Sequence, residues 1–432
     1  MSRATPGEGR PLLGSLEDVP SGGPVWLHER RKAAAERVRG TGLPTKKTES
    51  FRFTSVKSLA DGSFATPSGA VDAAAVAARL GDDGTHRLLV VDGVPRLEGA
   101  APEGVEIRSL AEVLEREPAR IEPFLGRLAE PEFFAGLNAA LFTDGVVVFV
   151  RRNTAVAQPI HLVHVAASGE TPAVAYPRVL VVAEPGSEVV LVETVLGRSG
   201  ASHLSNEVVE VAVQANAKVV HVVVHEAPGY HLVRQAVRVD RDARYEAKSV
   251  TLGGGLLRVD LHVMIEGEGA AISLDGVYHV AGHDHVDHHV LVEHRVPRGT
   301  SHQRYRGVVD GSGTAVFDGI VIVRPGAGKT EAHQENKNLL LTDTGTVHTK
   351  PHLEIETDDV VCSHGATVGS LDADQLFYLR ARGIGEDMAR AMLTHAFVRE
   401  ILEGIPHEPI RLRLEEAFLR RLPGGEDVRG LS

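Results

Sequence analysis

Apolar and polar positions divide the chain into three regimes. From Pro24 to about Arg39, Trp26, Leu27, Ala33 to Ala35 and Val38 are interleaved with Arg30, Arg31, Lys32 and Glu36, which predicts a helix with a modest apolar stripe. A basic connector, KKTESFRFTSVKSL, follows, with Phe51 and Phe53 two residues apart. An Ala-rich helix is predicted near Asp72 to Leu80, and the Asp92-Gly93 pair inside LLVVDGVPRL signals a hairpin. Helical spacing returns over residues 109–142 through Leu110, Val113, Leu114, Ile121, Leu125 and Leu128. The first 130 residues thus read as a mixed, mainly helical unit. Residues 1–20, rich in Gly and Pro, are expected to be disordered.

Between Gly145 and about Gly369 the pattern changes to short Val-rich strands: VVVFV, PIHLVHV, RVLVVA, SEVVLVE, EVVEVAV, AKVVHVVV and AAISLDGVYHV. Turn formers precede many of them, at Pro185-Gly186, Ala215-Asn216, Asp240 to Ala243, Gly267 to Gly269 and Gly311 to Gly313. A loose repeat of about 25 to 30 residues, without sequence identity between copies, predicts a β-solenoid. A pair of β-sandwiches or a β-barrel would show stronger polar and apolar alternation than these nearly all-Val strands. The fold class is therefore mainly β, a solenoid spanning 131–370 between a region 1–130 and a helical region 371–432.

In the last region, Asp372 followed three residues later by Gln375 resembles a capping box, and that helix ends at Arg382-Gly383. Helices from Glu386 to Leu402 and from Glu408 to Leu422 follow. So few core positions cannot stabilise a unit alone, so it is expected to dock on the solenoid or on a partner.

With 24% charged and 43% apolar residues among 432, the chain is of ordinary globular composition. A net charge of -12 without a basic stripe argues against nucleic-acid binding. No apolar run is long enough to cross a membrane, and the N-terminus lacks the apolar core of a secretory signal. The one cysteine suits a reducing compartment, and a cytoplasmic location is expected.

That cysteine, Cys362, lies two residues before His364, so in a strand the two share a face and could offer sulfur and imidazole to one soft metal. Two ligands are too few for a zinc site or a cluster, so any such site would be shared. Other signals are weaker. RPGAGKT at 324–330 ends like a phosphate-binding loop, but Val323 stands where a glycine is required, and a solenoid turn is the expected role. Seven histidines between His279 and His302, including His283, His285, His288, His289 and His294, with Asp284, Asp287 and Glu293, could bind metal or form a surface ladder. Glu266, Asp275, Asp310 and Asp318 could supply the carboxylate pair of a β-helical carbohydrate-active enzyme, although only 4% of residues are aromatic.

The run NKNLLL, TKPHLEI, DDVVCSHGATVGSLDADQLFYLRARGI resembles the C-terminal signature of the SufB/SufD family of iron-sulfur cluster assembly proteins. VEHRVP, TSHQRYRGVVDG, AVFDGIVIV and KTEAHQENKN are similar to the same family, and ESFRFTSVKSL to a segment of its SufD branch, with Phe51 and Phe53 where Trp and Tyr are common. A lone cysteine, and Ser363-His364-Gly365 where SufB tends to carry Glu-His-Glu, place the resemblance on the SufD side. It implies a right-handed parallel β-helix and a non-catalytic scaffold subunit acting with a SufB-like sister and a SufC-like ATPase. His364, with Cys362 beside it, would contribute to a transient, shared iron-sulfur site at the sister interface. Gln375, Phe377, Tyr378, Met388 and Met392 would dock the ATPase. The resemblance is compatible with a homodimer when the sister is absent and leaves flavin in the complex open.

Overall fold

The structure is a computed structural model that describes residues 10–67, 71–129, 132–166, 172–197 and 203–429. Successive strands alternate between two facing sheets, so each turn of chain adds one parallel strand to each. The first sheet runs from His86–Val91 through Ile160–Val165 and Glu188–Leu196 to Val360–Ser370; the second runs from Val146–Val150 through Arg178–Ala183 and His203–Val213 to Thr346–Ile355. This is the parallel β-solenoid expected from the repeat. The repeat loosens along the chain: Leu204, Tyr230 and Leu256 are laterally paired at 26-residue steps, whereas Thr314 pairs with Thr346, 32 residues on.

The interior is a ladder of like side chains. Val148, Val181, Val211, Val237, Val263, Val292, Val321 and Leu353 follow one another in register. Branched side chains stacked at the inter-strand spacing of about 4.8 Å fill a narrow core that requires no long-range alternation of element types. Turn residues accept the left-handed backbone, as at Asn216 (φ 58°) and Asp242 (φ 55°). At Gly267 the adjacent turn comes so close that a Cβ would sit 1.8 Å from the Arg241 amide nitrogen, and only glycine fits.

The early strands are apolar on both faces because both faces are covered. Outside the second sheet, Leu204, Leu232 and Leu256 pack with Phe51, Phe134, Leu137 and Val38, the last from helix Val25–Thr41. Val147, Phe149, Leu180 and Val182 pack with Leu110, Val113, Ile121 and Leu125. Outside the first sheet, Val192, Val222, Val250 and Val277 pack with Val398, Ile401 and Leu402 of helix Glu386–Glu403 and Leu414 and Phe418 of helix Glu408–Leu419. The C-terminal helices thus dock on the solenoid of their own chain.

Some expectations are revised. Residues 1–9 lie outside the described residues; in the segment that follows, Arg10–Pro11 pairs with Ser63–Phe64, and Leu12 and Leu16 bury beside Phe51 and Phe64. Two leucines among Gly and Pro suffice because their apolar pocket is supplied by distant segments. Strands from within the first 130 residues also enter the sheets. His86–Val91 forms the Asp92-Gly93 hairpin with Val94–Arg96, and Val105–Ser109 pairs antiparallel with Val146–Val150. RPGAGKT forms a turn between strands Thr314–Val323 and Thr330–Leu340, with Lys329 at φ 59°.

Candidate functional site

The two ends of the solenoid differ. At the N-terminal end the terminal positions of the sheets are held by the short antiparallel strands Val94–Arg96 and Val105–Ser109. At the C-terminal end the terminal strands are Thr346–Ile355 and Val360–Ser370, 10 and 11 residues long, each paired on one side only. Such an edge presents a row of unpaired backbone donors and acceptors. Ile355, Val361 and Val368 are exposed on this turn, and Pro351, which has no N–H to give a ladder, is tolerated because its strand is an edge.

Cys362 and His364 lie on this last strand, in register with Ala332 and Gln334, both of which are buried. The expected shared face is therefore the one turned toward the solenoid interior. Cys362 packs against the apolar core, and burial pushes its thiol pKa up, which disfavours the thiolate that would ligate a metal. His364 is exposed because no further turn stacks on it. The opposite face carries Ser363, whose hydroxyl lies 2.7 Å from His333 Nδ1.

Behind Cys362 and His364 the interior changes from valine to amide. Gln334 Nε2 donates to Gln303 Oε1 (3.0 Å), Asn336 Nδ2 to the Tyr278 hydroxyl (3.0 Å) and Asn338 Nδ2 to Asn336 Oδ1 (2.7 Å). Thr349 of the neighbouring edge strand donates to Asn336 Oδ1 at 2.8 Å. The linked Tyr278, Asn336, Asn338 and Thr349 groups tie edge strand Thr346–Ile355 to the preceding turn where apolar packing thins out.

The next element, helix Ala373–Ala381, is capped by Asp372, whose carboxylate accepts from the Asp374 and Gln375 amides. None of its residues is buried: Phe377 is 73% exposed, Tyr378 55%, and Gln375 is also exposed. Met388 and Met392 are different. They are half-buried against the apolar cluster between the C-terminal helices and the first sheet.

A second constellation escaped the sequence reading. Inside the solenoid, His164 Nε2 lies 2.9 Å from Glu193 Oε2 and His164 Nδ1 lies 3.3 Å from Glu207 Oε1. His221 Nε2 is 2.7 Å from Glu193 Oε1, and His231 Nε2 is 2.9 Å from Glu207 Oε2. All five are buried. Burial pushes the His164 imidazole down, but Glu207 and Glu193 outweigh it and hold its pKa at about 9; Glu193 is itself held well below the usual carboxylate range, chiefly by His164, against its own burial. The available signal was polar residues at inward positions of all-Val strands, as in PIHLVHV and AKVVHVVV.

The histidines between His279 and His302 do not converge. His288 faces the interior between Tyr278 and Tyr305, His279 accepts from Arg421 Nε, His285 and His289 lie around Asp287, and His302 stacks on His333. The acidic residues considered for sugar cleavage are likewise occupied. Asp275 is clamped by Lys248 and Arg304 on the first sheet, Glu266 pairs with Arg295, Asp310 accepts from the Gly311 amide, and Asp318 lies on the second sheet. Asp275 and Asp318 stand on opposite sheets, and Glu266 and Asp310 follow different strands.

Residues 164–397 match the SUF system FeS cluster assembly SufBD core domain, and residues 85–162 match the SufBD protein N-terminal region. The chain is 31% identical to the iron-sulfur cluster assembly protein SufD of Escherichia coli, over 90% of this chain and 92% of that protein. It is 31% identical to a SufBD family protein of Synechocystis, over 90% of each, and 33% identical to a chloroplastic protein of Arabidopsis thaliana, over 93% of this chain and 88% of that one. With solenoid, helical flanks and both family regions in agreement, the chain belongs to the SufBD family of iron-sulfur cluster assembly proteins.

Proposed function

We propose that this chain is a non-catalytic scaffold subunit whose open C-terminal turn pairs with the corresponding turn of a SufB-like sister, with His364 contributing to a nascent iron-sulfur site shared across that junction. The observation that carries this reading is the pair of long, one-sided edge strands with His364 on the terminal one. Strand addition satisfies the idle backbone groups and covers Val361, Val368 and Ile355 in one step. The same edge would accept a second copy of this chain when the sister is absent. Cluster iron and sulfide are the cargo, and the half-buried thiol of Cys362, its pKa pushed up by burial, makes the imidazole the better donor from this side.

His364→Ala is expected to lower the cluster content of the assembled complex several-fold while the complex elutes intact on size exclusion. Undiminished cluster content in that variant would remove His364 from the site.

In this proposal a SufC-like ATPase docks on helix Ala373–Ala381 through Phe377 and Tyr378, with Gln375 beside them. Met388 and Met392 support the surface from beneath. The reading rests on two large aromatics left open on a helix with no buried residue. Aromatic anchors of an interface typically cost about 2 kcal/mol or more when removed, roughly 30-fold in affinity. Phe377→Asp is therefore expected to weaken ATPase-subunit binding by about that factor without lowering the unfolding temperature. Calorimetric titration showing unchanged affinity would move the docking surface elsewhere.

A further inference from the structure

We propose that the solenoid interior contains a binding site for a divalent first-row transition metal, built around His164, Glu193 and Glu207. One potential ligand atom from each residue lies within 4.8 Å of the others. They come from three strands, Ile160–Val165 and Glu188–Leu196 of the first sheet and His203–Val213 of the second, so both walls of the solenoid contribute.

Three observations point to a site where a metal cation can take the place of the proton on His164 Nδ1, which binding would release. First, Glu207 Oε1 and His164 Nδ1 lie 3.3 Å apart, and each is buried without a hydrogen-bond partner. Two ligands of one tetrahedral ion at bond lengths of about 2.0–2.1 Å stand roughly 3.4 Å apart. Second, the other imidazole nitrogen, Nε2, meets the Glu193 carboxylate at 2.9 Å, the carboxylate–histidine arrangement that orients a metal-bound ring. Third, this chain compensates other buried carboxylates with fixed cations: Glu210 by Arg178, Asp287 by Arg258, Asp275 by Lys248. Glu193 and Glu207 meet only imidazoles among the described residues. A dication held by Glu207 and His164 Nδ1 would balance the Glu207 charge directly and leave Glu193 as the outer carboxylate that orients the ring.

His225 lies beside this group. It is 3% exposed, both ring nitrogens lack a partner, and its ring centre lies 5.1 Å from that of His231. A narrow cleft between strand ends, lined by Asp92, His164, His203 and His231, reaches the group. Imidazole and carboxylate donors without sulfur suit Fe(II), Co(II) or Zn(II) and exclude a thiolate-held cluster. The site is thereby separate in chemistry and place from the open end bearing Cys362 and His364.

The test uses the full-length chain, stripped with a chelator under anaerobic conditions and loaded with Co(II). One equivalent should survive gel filtration, and X-ray absorption should show nitrogen and oxygen neighbours only. Glu207→Gln, checked for folding by circular dichroism, should lose that equivalent, whereas the Cys362→Ser/His364→Ala double variant should keep it. Failure of the wild-type chain to retain Co(II), sulfur among its neighbours, or loss in the double variant with retention in Glu207→Gln would each overturn the proposal. The wild-type measurement decides even if Glu207→Gln fails to fold.

Discussion

Arg258→Ala is expected to destabilise the chain by about 3–5 kcal/mol, because it strands a buried carboxylate. Arg258 is 1% exposed, bonds Asp287 at 2.6 Å and Asp260 at 2.7 Å, and donates to the Ser50 carbonyl at 2.6 Å. Its guanidinium lies 4.0 Å from the Phe51 ring centre, and Thr54 donates to Asp287 at 2.5 Å. This one side chain therefore fastens the ESFRFT segment to the solenoid. Chemical denaturation should show the loss, and limited proteolysis should show cleavage near residues 44–56. Wild-type stability in the variant would refute the latch.

The pH dependence has a definite sign. In the wild-type protein burial raises the Asp287 pKa, but Arg258 and its other partners outweigh this and hold it well below the usual range. That contribution is fully present above the ordinary carboxylate pKa of about 3.9 and is lost only as pH falls through the lower folded value. Without Arg258, burial dominates and the folded pKa rises above the unfolded one. The deficit of the variant should then shrink as pH is lowered from 8 toward 5, since protonation relieves the buried charge. A deficit constant across that interval would mean that Arg258 acts through packing and not through charge.

The second large effect is expected at Glu210, which is fully buried. Its carboxylate pairs with Arg178 and accepts from the amides of Gly126 (2.8 Å), Leu128 (3.1 Å) and Ala129 (3.3 Å). Glu210→Ala leaves a guanidinium buried and several amides without an acceptor, a loss of about 3–5 kcal/mol or more. The cover formed by residues 118–129 and 132–142 should loosen first, seen as faster amide hydrogen exchange there than in the Val ladder. An Arg178→Met/Glu210→Met double variant separates the two causes. A buried ion pair replaced by apolar residues is often neutral, but here the amides would still lack their acceptor, so the double variant should remain destabilised. Recovery to wild-type stability would show that only the charge mattered.

How much of this was visible beforehand varies with the kind of signal. The solenoid was legible because stacked parallel strands write one local pattern, Val-rich strand then turn, again and again. The all-Val character had a second cause that the pattern did not separate: the outward faces are buried too, under helices. The same ambiguity hid the sheet strands within residues 86–109, which read as isolated segments among helices. Composition cannot show that Phe51, Phe64 and Phe134 converge to receive Leu12 and Leu16. Cys362 and His364 were found as a pair because a strand puts residues two apart on one face, and they do share a strand. The family resemblance groups Met388 and Met392 with Phe377 and Tyr378, while the packing half-buries the methionines and opens the aromatics.

The amino-acid sequence by itself determined the repeat, the turn positions, the helical flanks and the family, since each is written in contiguous residues a few positions apart. Only the tertiary structure decided which end of the solenoid is open, because an edge is defined by the strand that is missing beside it. It alone brought His164, Glu193 and Glu207 together. Those residues lie on different turns, and their proximity depends on the lateral register and on the closing of two sheets over one interior.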